Sequence, residues 1–428
     1  MARWNTIARG SALVAVAALA LAACTTESDD PSGAPTGGAS GDPLKIGTFL
    51  PVTGNLAFLG PPEISGVRLA VADINEAGGL FGADVELMET DSSDVNNATN
   101  QNIGKQSVQS LITAGVSAII GAASSSTTLG VIDDVDAAGI VMVSPANTST
   151  TLSGYSDFYF RTAPPDTAQG AAVADLMMDD GAMNIAVLVQ NDDYGTSFRN
   201  VFQERVEGAG GTITYGKAGQ EVDPAATNFS SDVQGALATN PDAILMIAFD
   251  ATKQIIPELV LANYDMTKVY MTDGNTSDWS AEFPAGTLEG GKGTIPGAAA
   301  SEDLRTRATA LWEADGNEPL TDFSYLSESY DAVILVALAA LRGGSSDPAV
   351  IQENMASVSG SDGGTECADW AECSALLADG EDIAYQALSG AGAFDDANDP
   401  TTAIIGVYQY DADNRPQRIS EVNWSAAS

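Results

Sequence analysis

The chain has 428 residues, with 58 acidic and 17 basic side chains, no histidine and a formal net charge of −41. Such acidity repels nucleic acid and anionic lipid headgroups, which are held by basic patches. The missing histidine removes the Ser-His-Asp triad, the Cys-His pair, imidazole acid-base chemistry and nearly every catalytic zinc site.

Arg3 and Arg9 precede a short apolar run from Ser11 to Ala20, which Leu21-Ala22-Ala23-Cys24 closes. This is the layout of a secretory signal. Its last four residues resemble a lipobox, in which a peptidase cuts before the cysteine and the thiol carries diacylglycerol. The run is too short to cross ~30 Å of hydrocarbon as a permanent span. Thr25 to Pro43 is rich in Ser, Thr, Gly, Asp and Pro, a composition that stays solvated. Residues 1–23 therefore read as a signal peptide, and 24–44 as a lipidated cysteine with its tether. The body beyond exceeds what one hydrophobic core serves, so two lobes are expected. It holds no further apolar run of spanning length.

Within the body, Ile46 to Pro51 reads as a buried strand ending in a turn at Gly54. Glu63 to Glu76 carries apolar residues at helical spacing and stops at Gly78-Gly79. Val85–Met88 reads as a strand, Gln101–Ala114 as a helix, Ser117–Ile120 as a strand, Ser124–Ala138 as a helix and Ile140–Val143 as a strand. The pattern restarts with helices over Thr167–Asp179 and Ser197–Ala209 around a strand at Ile185–Val189. Strands at Thr212–Tyr215, Ala243–Phe249 and Val269–Met271 follow, separated by helices at Thr227–Ala238 and Lys253–Ala262. This alternation predicts an α/β fold of two doubly wound parallel-sheet lobes. Pro or Gly interrupts it near Thr162–Asp166, Thr294–Ala298 and Tyr385–Gly390, where three crossings are expected. The lobes would comprise 45–164 plus 297–386, and 165–296 plus 387–428.

In open parallel sheets, ligands bind beyond the carboxyl ends of the strands. Gly121-Ala122-Ala123-Ser124-Ser125-Ser126-Thr127 follows a strand and opens a helix. Its hydroxyls and backbone N–H groups suit a carboxylate, or Ser124 simply caps the helix. Ser144-Pro145-Ala146-Asn147-Thr148 offers a hydroxyl and a carbonyl after the next strand. Thr272-Asp273-Gly274 presents a carboxylate, or is a plain surface turn. No phosphate loop or dinucleotide fingerprint is present. The acidic turns at Asp395–Asp399 and Asp411–Asn414 lack EF-hand spacing. With Cys24 lipidated, Cys367 and Cys373 remain as one pair in a compartment where disulfides persist. No third or fourth ligand accompanies them, so a loop-closing disulfide fits better than a metal site. Closing so short a loop contributes about 2 kcal/mol. No metal or cofactor is expected.

Several segments carry a resemblance when taken in order. They are Ile46-Gly47-Thr48-Phe49-Leu50-Pro51-Val52-Thr53-Gly54, the helix end Gly66…Asp73-Ile74-Asn75…Gly78-Gly79, and Ile120-Gly121…Ser124-Ser125-Ser126-Thr127. Ser144-Pro145-Ala146, Phe160-Arg161-Thr162, Asp192-Asp193-Tyr194-Gly195 and Tyr330-Asp331-Ala332 complete the set. Over 45–428 the chain resembles the solute-binding proteins of branched-chain amino acid ABC importers, the type I periplasmic binding fold. The resemblance implies an amino acid held between the lobes. Its carboxylate would meet the Ser124 side chain and the Ser126 backbone in the Ser124-Ser125-Ser126-Thr127 turn. Its ammonium would meet the Ala146 carbonyl, the Thr148 hydroxyl and Asp273, with Tyr194 closing over it.

Leu59 stands where a Trp lines the family's pocket, Phe249 where a Tyr contacts the ligand, and Asp273 is one methylene shorter than the usual Glu. These departures bear on which ligand is bound. Asp250, beside Phe249, would add a second negative charge or serve as an exposed helix N-cap. The stretch from Cys367 to Cys373, with Gly380-Glu381-Asp382-Ile383-Ala384-Tyr385 and Ser389-Gly390, resembles a C-terminal feature of actinobacterial members. The implied protein is a monomeric, lipid-anchored, extracytoplasmic binding protein that hands a small zwitterion to a membrane permease and catalyses nothing. A ligand-sensing receptor of the same fold is one alternative. Another is an amide hydrolase using Ser124 with Lys105 or Asp273, which would need a Ser-x-x-Lys arrangement that the chain lacks.

Changing Cys24 to Ser is expected to leave the precursor unprocessed or to release the protein from the membrane fraction. Fractionation and immunoblotting read this directly. Normal processing with retention in the detergent phase would contradict the anchor.

Overall fold

The computed structural model describes residues 42–93 and 98–426. The signal segment, Cys24 and the tether before residue 42 lie outside the described residues. The first sheet is built from β1 (Lys45–Leu50), β2 (Glu86–Asp91), β3 (Ala118–Gly121), β4 (Val141–Ser144) and β5 (Tyr159–Arg161). Helices α1 (Gly60–Glu76), α2 (Ala98–Ala114), α3 (Ser125–Leu129) and α4 (Ile132–Ala137) connect the first four strands. The strands lie parallel in the order β2-β1-β3-β4-β5. The central strands are continuous apolar runs buried along their whole length, as strands covered on both faces must be.

The helix expected over Ser124–Ala138 is two short ones. Gly130 ends α3, and Val131 leaves the helical region at φ −137° before α4 begins. Glycine weakens a helix at this point, and the break lets Val131, Ile132 and Val135 enter one apolar cluster together.

The second sheet begins with α5 (Asp166–Asp179), β6 (Asn184–Val189), α6 (Asp193–Gly208), β7 (Thr212–Tyr215) and α7 (Ser230–Ala238). It continues with β8 (Ala243–Ile247), α8 (Thr252–Leu261), β9 (Val269–Met271) and β10 (Lys292–Pro296). Next come α9 (Glu302–Ala314), α10 (Leu326–Gly343), α11 (Pro348–Val358), β11 (Thr365–Cys367), α12 (Trp370–Ala378) and β12 (Ile383–Tyr385). The chain closes with β13 (Thr402–Tyr410) and β14 (Pro416–Ser425).

The second sheet runs β14-β13-β10-β9-β8-β6-β7. Its pairs from β7 to β10 are parallel, but β10–β13 and β13–β14 are antiparallel. For β13–β14 the reason is local: Asp411–Arg415 is a tight turn, and strands joined by so short a connection can pair only antiparallel. Helix α10, buried over nearly its whole length, packs between α1 and α11 and against β3 and β4. Among the described residues no single helix is long and apolar enough to cross a membrane. Cys367 and Cys373 form the expected disulfide, with Cα atoms 5.3 Å apart, joining β11 to α12.

One buried ion pair ties distant parts of this path together. Arg161, at the end of β5, is 0% exposed. Its Nε and Nη2 donate to the two carboxylate oxygens of Asp399 at 2.6 and 2.8 Å. Its Nη1 donates to the carbonyls of Ser149 and Asn147 at 2.9 and 3.3 Å. Asp399, in sequence a plain acidic turn residue, is thus the counter-ion of a buried arginine. Removing one partner of such a pair strands the other charge and costs about 3–5 kcal/mol. Asp399→Ala is therefore expected to lower unfolding stability by that amount in a urea titration. The exposed neighbour Asp396→Ala should change it by no more than about 0.5 kcal/mol. Equal effects would show that the pair does not anchor the fold.

Candidate ligand-binding site

The first wall of the site is set by two turns locked to each other. Gly121 ends β3 at φ +129°, and a Cβ there would lie 1.9 Å from the Phe49 carbonyl oxygen. Only glycine permits this approach. Ser124 follows in extended conformation and caps α3, its Oγ accepting from the Thr127 N–H at 3.3 Å. Ser144 Oγ donates to the Ala122 carbonyl at 2.6 Å, and Asn147 Nδ2 donates to the carbonyls of Ala122 and Ala123. The Ala146 and Thr148 turn is thereby held against the Ser124 turn.

The opposite wall comes from the carboxyl ends of β8 and β9 and the start of α6. Leu59, Ser124, Ser125, Ala146, Tyr194, Phe249 and Asp273 line one nearly closed cavity, of about 10 Å³. Leu56, Ala123, Gly274 and Tyr325 complete the lining. The rings of Tyr194 and Phe249 stack, with centroids 5.3 Å apart.

Ser126 and Thr148 are not on that lining. Ser126 Oγ donates to Asp193 Oδ2 at 2.8 Å and accepts from the Asp193 N–H at 2.9 Å, so it bridges to α6 across the cleft. Thr148 is buried behind the Ala146 turn, with its Oγ1 unpartnered. Asp250 faces outward and pairs with Lys253 at 3.2 Å. The N-cap of α8 is Ala251, so Asp250 serves neither as cap nor as cavity charge. Lys105 is exposed on α2, away from the cavity.

Asp273 dominates the electrostatics. Its Oδ1 accepts from the Tyr194 hydroxyl at 2.8 Å and its Oδ2 from the Tyr325 hydroxyl at 2.7 Å. Burial raises its pKa, and the two tyrosine hydrogen bonds oppose that rise. Among the described residues no basic side chain pairs with it. Tyr325 reaches Asp273 from the segment just before α10, held at φ +60°. A bulky residue in the left-handed region is strained, and here that backbone aims a hydroxyl at the site's one lining carboxylate.

Behind the cavity stand further acceptors that sequence reasoning did not assign. Asp166, the first residue of α5, is fully buried with no cationic partner among the described residues, and Gln169 Oε1 is unpartnered. Burial pushes Asp166 up to about 8, against the pull of the nearby Ser197 and Thr148 hydroxyls, and the Asp273 charge adds to the rise. Its signal in the sequence is faint: an acid after Pro164-Pro165 at a helix start is usually only a terminal charge. Tyr325 carries no local signal at all. Among the described residues no cluster of acidic, Cys or His side chains is arranged to hold a metal ion. The arrangement is suited to holding a small donor-rich molecule between two walls.

A cavity at the strand carboxyl ends of two α/β sheets is the arrangement of the type I periplasmic binding fold. The chain belongs to the periplasmic binding protein family, whose model matches residues 43–374. It is 26% identical over 391 residues to the chemotactic signal transduction system substrate-binding protein BasB of Halobacterium salinarum, covering 86% of this chain and 87% of the relative. Its fold is similar to that of a leucine-binding protein from Thermotoga maritima, with a TM-score of 0.71 and 22% identity over 89% of this chain and 98% of that one. A Rhodopseudomonas palustris ABC transporter solute-binding protein, in complex with p-hydroxybenzoic acid, matches with a TM-score of 0.69 and 17% identity over 90% and 98%. At these identities the two solved structures speak for the fold alone.

Asp166 makes a pH dependence. Folded, it keeps its proton to about pH 8; unfolded, it loses it at about pH 4, the ordinary carboxyl value. The folded state binds more protons in that window, so the Asp166 contribution to stability falls as pH rises through it. Asp166→Asn is expected to flatten the fall in Tm between pH 5 and 9, followed by circular dichroism. Identical slopes for wild type and variant would remove Asp166 as the responsible group.

Proposed function

We propose that the protein captures an amino acid, branched-chain or a related small zwitterion, in this cavity and delivers it to an ABC importer. A lipid on Cys24 would hold it at the outer face of the cell membrane. The observation that carries the reading is Asp273, a buried carboxylate with no cationic partner on the cavity wall. An ammonium supplies the missing charge. Ala146 lines the same cavity, and the Thr148 hydroxyl lies buried behind it, close to Asp166. Ser124 and Ser125, which line the cavity, would receive the ligand carboxylate, and Leu56, Leu59 and the Phe249 ring would take its apolar side chain. An aromatic acid without an ammonium, such as the ligand of the R. palustris neighbour, would bring its charge against Asp273 unrelieved. A sensing role is the second reading, favoured by the name of the H. salinarum relative.

A charge-assisted hydrogen bond is worth roughly 1.5–3 kcal/mol, and a factor of ten in affinity is ~1.4 kcal/mol. Asp273→Ala should therefore weaken leucine binding at least tenfold in a calorimetric titration, with the fold intact. Asp250→Ala, which removes a surface charge, should leave affinity within twofold. Unchanged affinity in Asp273→Ala, or tighter binding of p-hydroxybenzoate than of any amino acid, would refute the ammonium site. Loss of uptake in a deletion strain, with chemotaxis intact, would favour delivery over sensing.

A further inference from the structure

A second cavity, of about 480 Å³, lies on the other side of Tyr325 from the cleft and is lined from both halves of the fold. In a chain with more than three acids per base, its lining holds three of each: Asp278, Asp322 and Glu328 against Arg305, Arg415 and Arg418. Two of the arginines are already engaged. Arg415 pairs with Asp278 at 3.3 Å, and Arg418 pairs with Glu421 at 3.0 Å and donates to the Gly297 carbonyl. Asp322 accepts from the Ser324 N–H at 2.8 Å.

What remains without an ion-pair partner is Asp322 and Glu328 on one side and Arg305 on the other, and of the two acids Glu328 is the buried one. Glu328 is 3% exposed, and its Oε1 has no hydrogen-bond partner. Its carboxylate sits against Gly297, where an added Cβ would meet Oε1 at 2.0 Å. Arg305 is exposed, faces the Phe323 ring at 5.7 Å, and has no carboxylate partner among the described residues. The two charges line one cavity without forming an ion pair with each other. Rim arginines that merely solubilise the surface would leave no buried carboxylate unpartnered inside.

We propose that this cavity is a second binding site, for a zwitterion whose ammonium meets Glu328 and whose carboxylate meets Arg305. No ion pair joins Glu328 and Arg305, which leaves room between them for a ligand carrying both charges, and a short zwitterionic peptide meets both. The volume lies in the range of small-molecule sites, roughly 300–1,000 Å³. Phe323, Tyr325 and Tyr408 give it aromatic walls for a large side chain.

The probe is the dipeptide alanyl-phenylalanine, titrated calorimetrically into the full mature chain. Wild type and Asp273→Ala should bind it within twofold of each other, because Asp273 belongs to the other cavity. Glu328→Gln and Arg305→Ala should each weaken it at least tenfold while leaving leucine binding unchanged. N-acetyl-alanyl-phenylalanine, which has no ammonium, should bind wild type at least tenfold more weakly. If Glu328→Gln fails to fold, the exposed Arg305→Ala decides the question. No heat in wild type up to millimolar dipeptide overturns the proposal. So does binding that Asp273→Ala abolishes and Arg305→Ala leaves intact, which would place the peptide in the cleft.

Discussion

The buried guanidinium of Arg161 is the constraint from which the site takes its shape. It stands at the end of β5, the last strand before the chain enters the second sheet, and its carboxylate partner lies 238 residues further on. Between them it draws in the Ser149 and Asn147 carbonyls, which flank the turn that carries Ala146 and Thr148. From the far side, the Asp166 N–H donates to the Thr148 carbonyl at 2.7 Å. A strand end, a helix start and the approach to β13 are therefore fixed to one turn. A planar donor that meets a carboxylate bidentately and still has hydrogens for two carbonyls does this better than an ammonium could. The wall of the cleft is rigid because that charge cannot be left without all its acceptors.

The cleft itself shows the opposite condition. Arg161 finds an acceptor for its donors on every side, whereas Asp166 and Gln169 Oε1 lack strong donors and Asp273 has only two neutral hydroxyls. Carboxylates buried without cations cost several kcal/mol each unless they take up protons. The raised values of Asp166 and Asp273 follow from that cost. Two tyrosine hydroxyls are a partial remedy, since a neutral donor stabilises a carboxylate less than a cation does. Bonds across the cleft, Tyr325 to Asp273 and Ser126 to Asp193, hold the halves together around this deficit. On the proposed reading a ligand ammonium relieves it, and that relief is the differential affinity that any ligand-driven closure requires.

Much of this was legible in the residues. Apolar runs such as Ala118-Ile119-Ile120 and Ala243–Ile247 are buried strands because nothing polar interrupts them. The rule that ligands meet strand carboxyl ends led to Ser124, Ala146 and Asp273, which share one cavity. What escaped has a common cause. Asp399 looks like any turn acid until Arg161 is beside it, and Tyr325 reaches Asp273 only through a backbone angle that no propensity predicts. Asp166 became conspicuous through burial, which a polar residue next to two prolines does not announce. Likewise the break between α3 and α4 follows from where Val131 must be buried, a tertiary demand that overrides helical spacing. The antiparallel end of the second sheet was hidden for the same reason, since pairing direction depends on how the chain returns.

The cavity's two ends differ in how sharply they can select. At one end stand Leu56, Leu59 and Phe249, apolar surfaces without a donor or acceptor in the side chain. Phe249 is placed by its N–H, which donates to Gln190 Oε1, and by its stack on Tyr194. Such a surface distinguishes one methylene from another by only about 1–3 kcal/mol. At the other end a polar ligand group that is missing leaves buried partners unpaired, a penalty that discriminates far more strongly. If the ligand lies with its ammonium on Asp273, the side chain points into the tolerant end. Recognition would then be strict for the charged α-carbon substituents and permissive for the aliphatic tail. Phe249 acts in that direction, since its ring brings no hydroxyl to that end of the cavity.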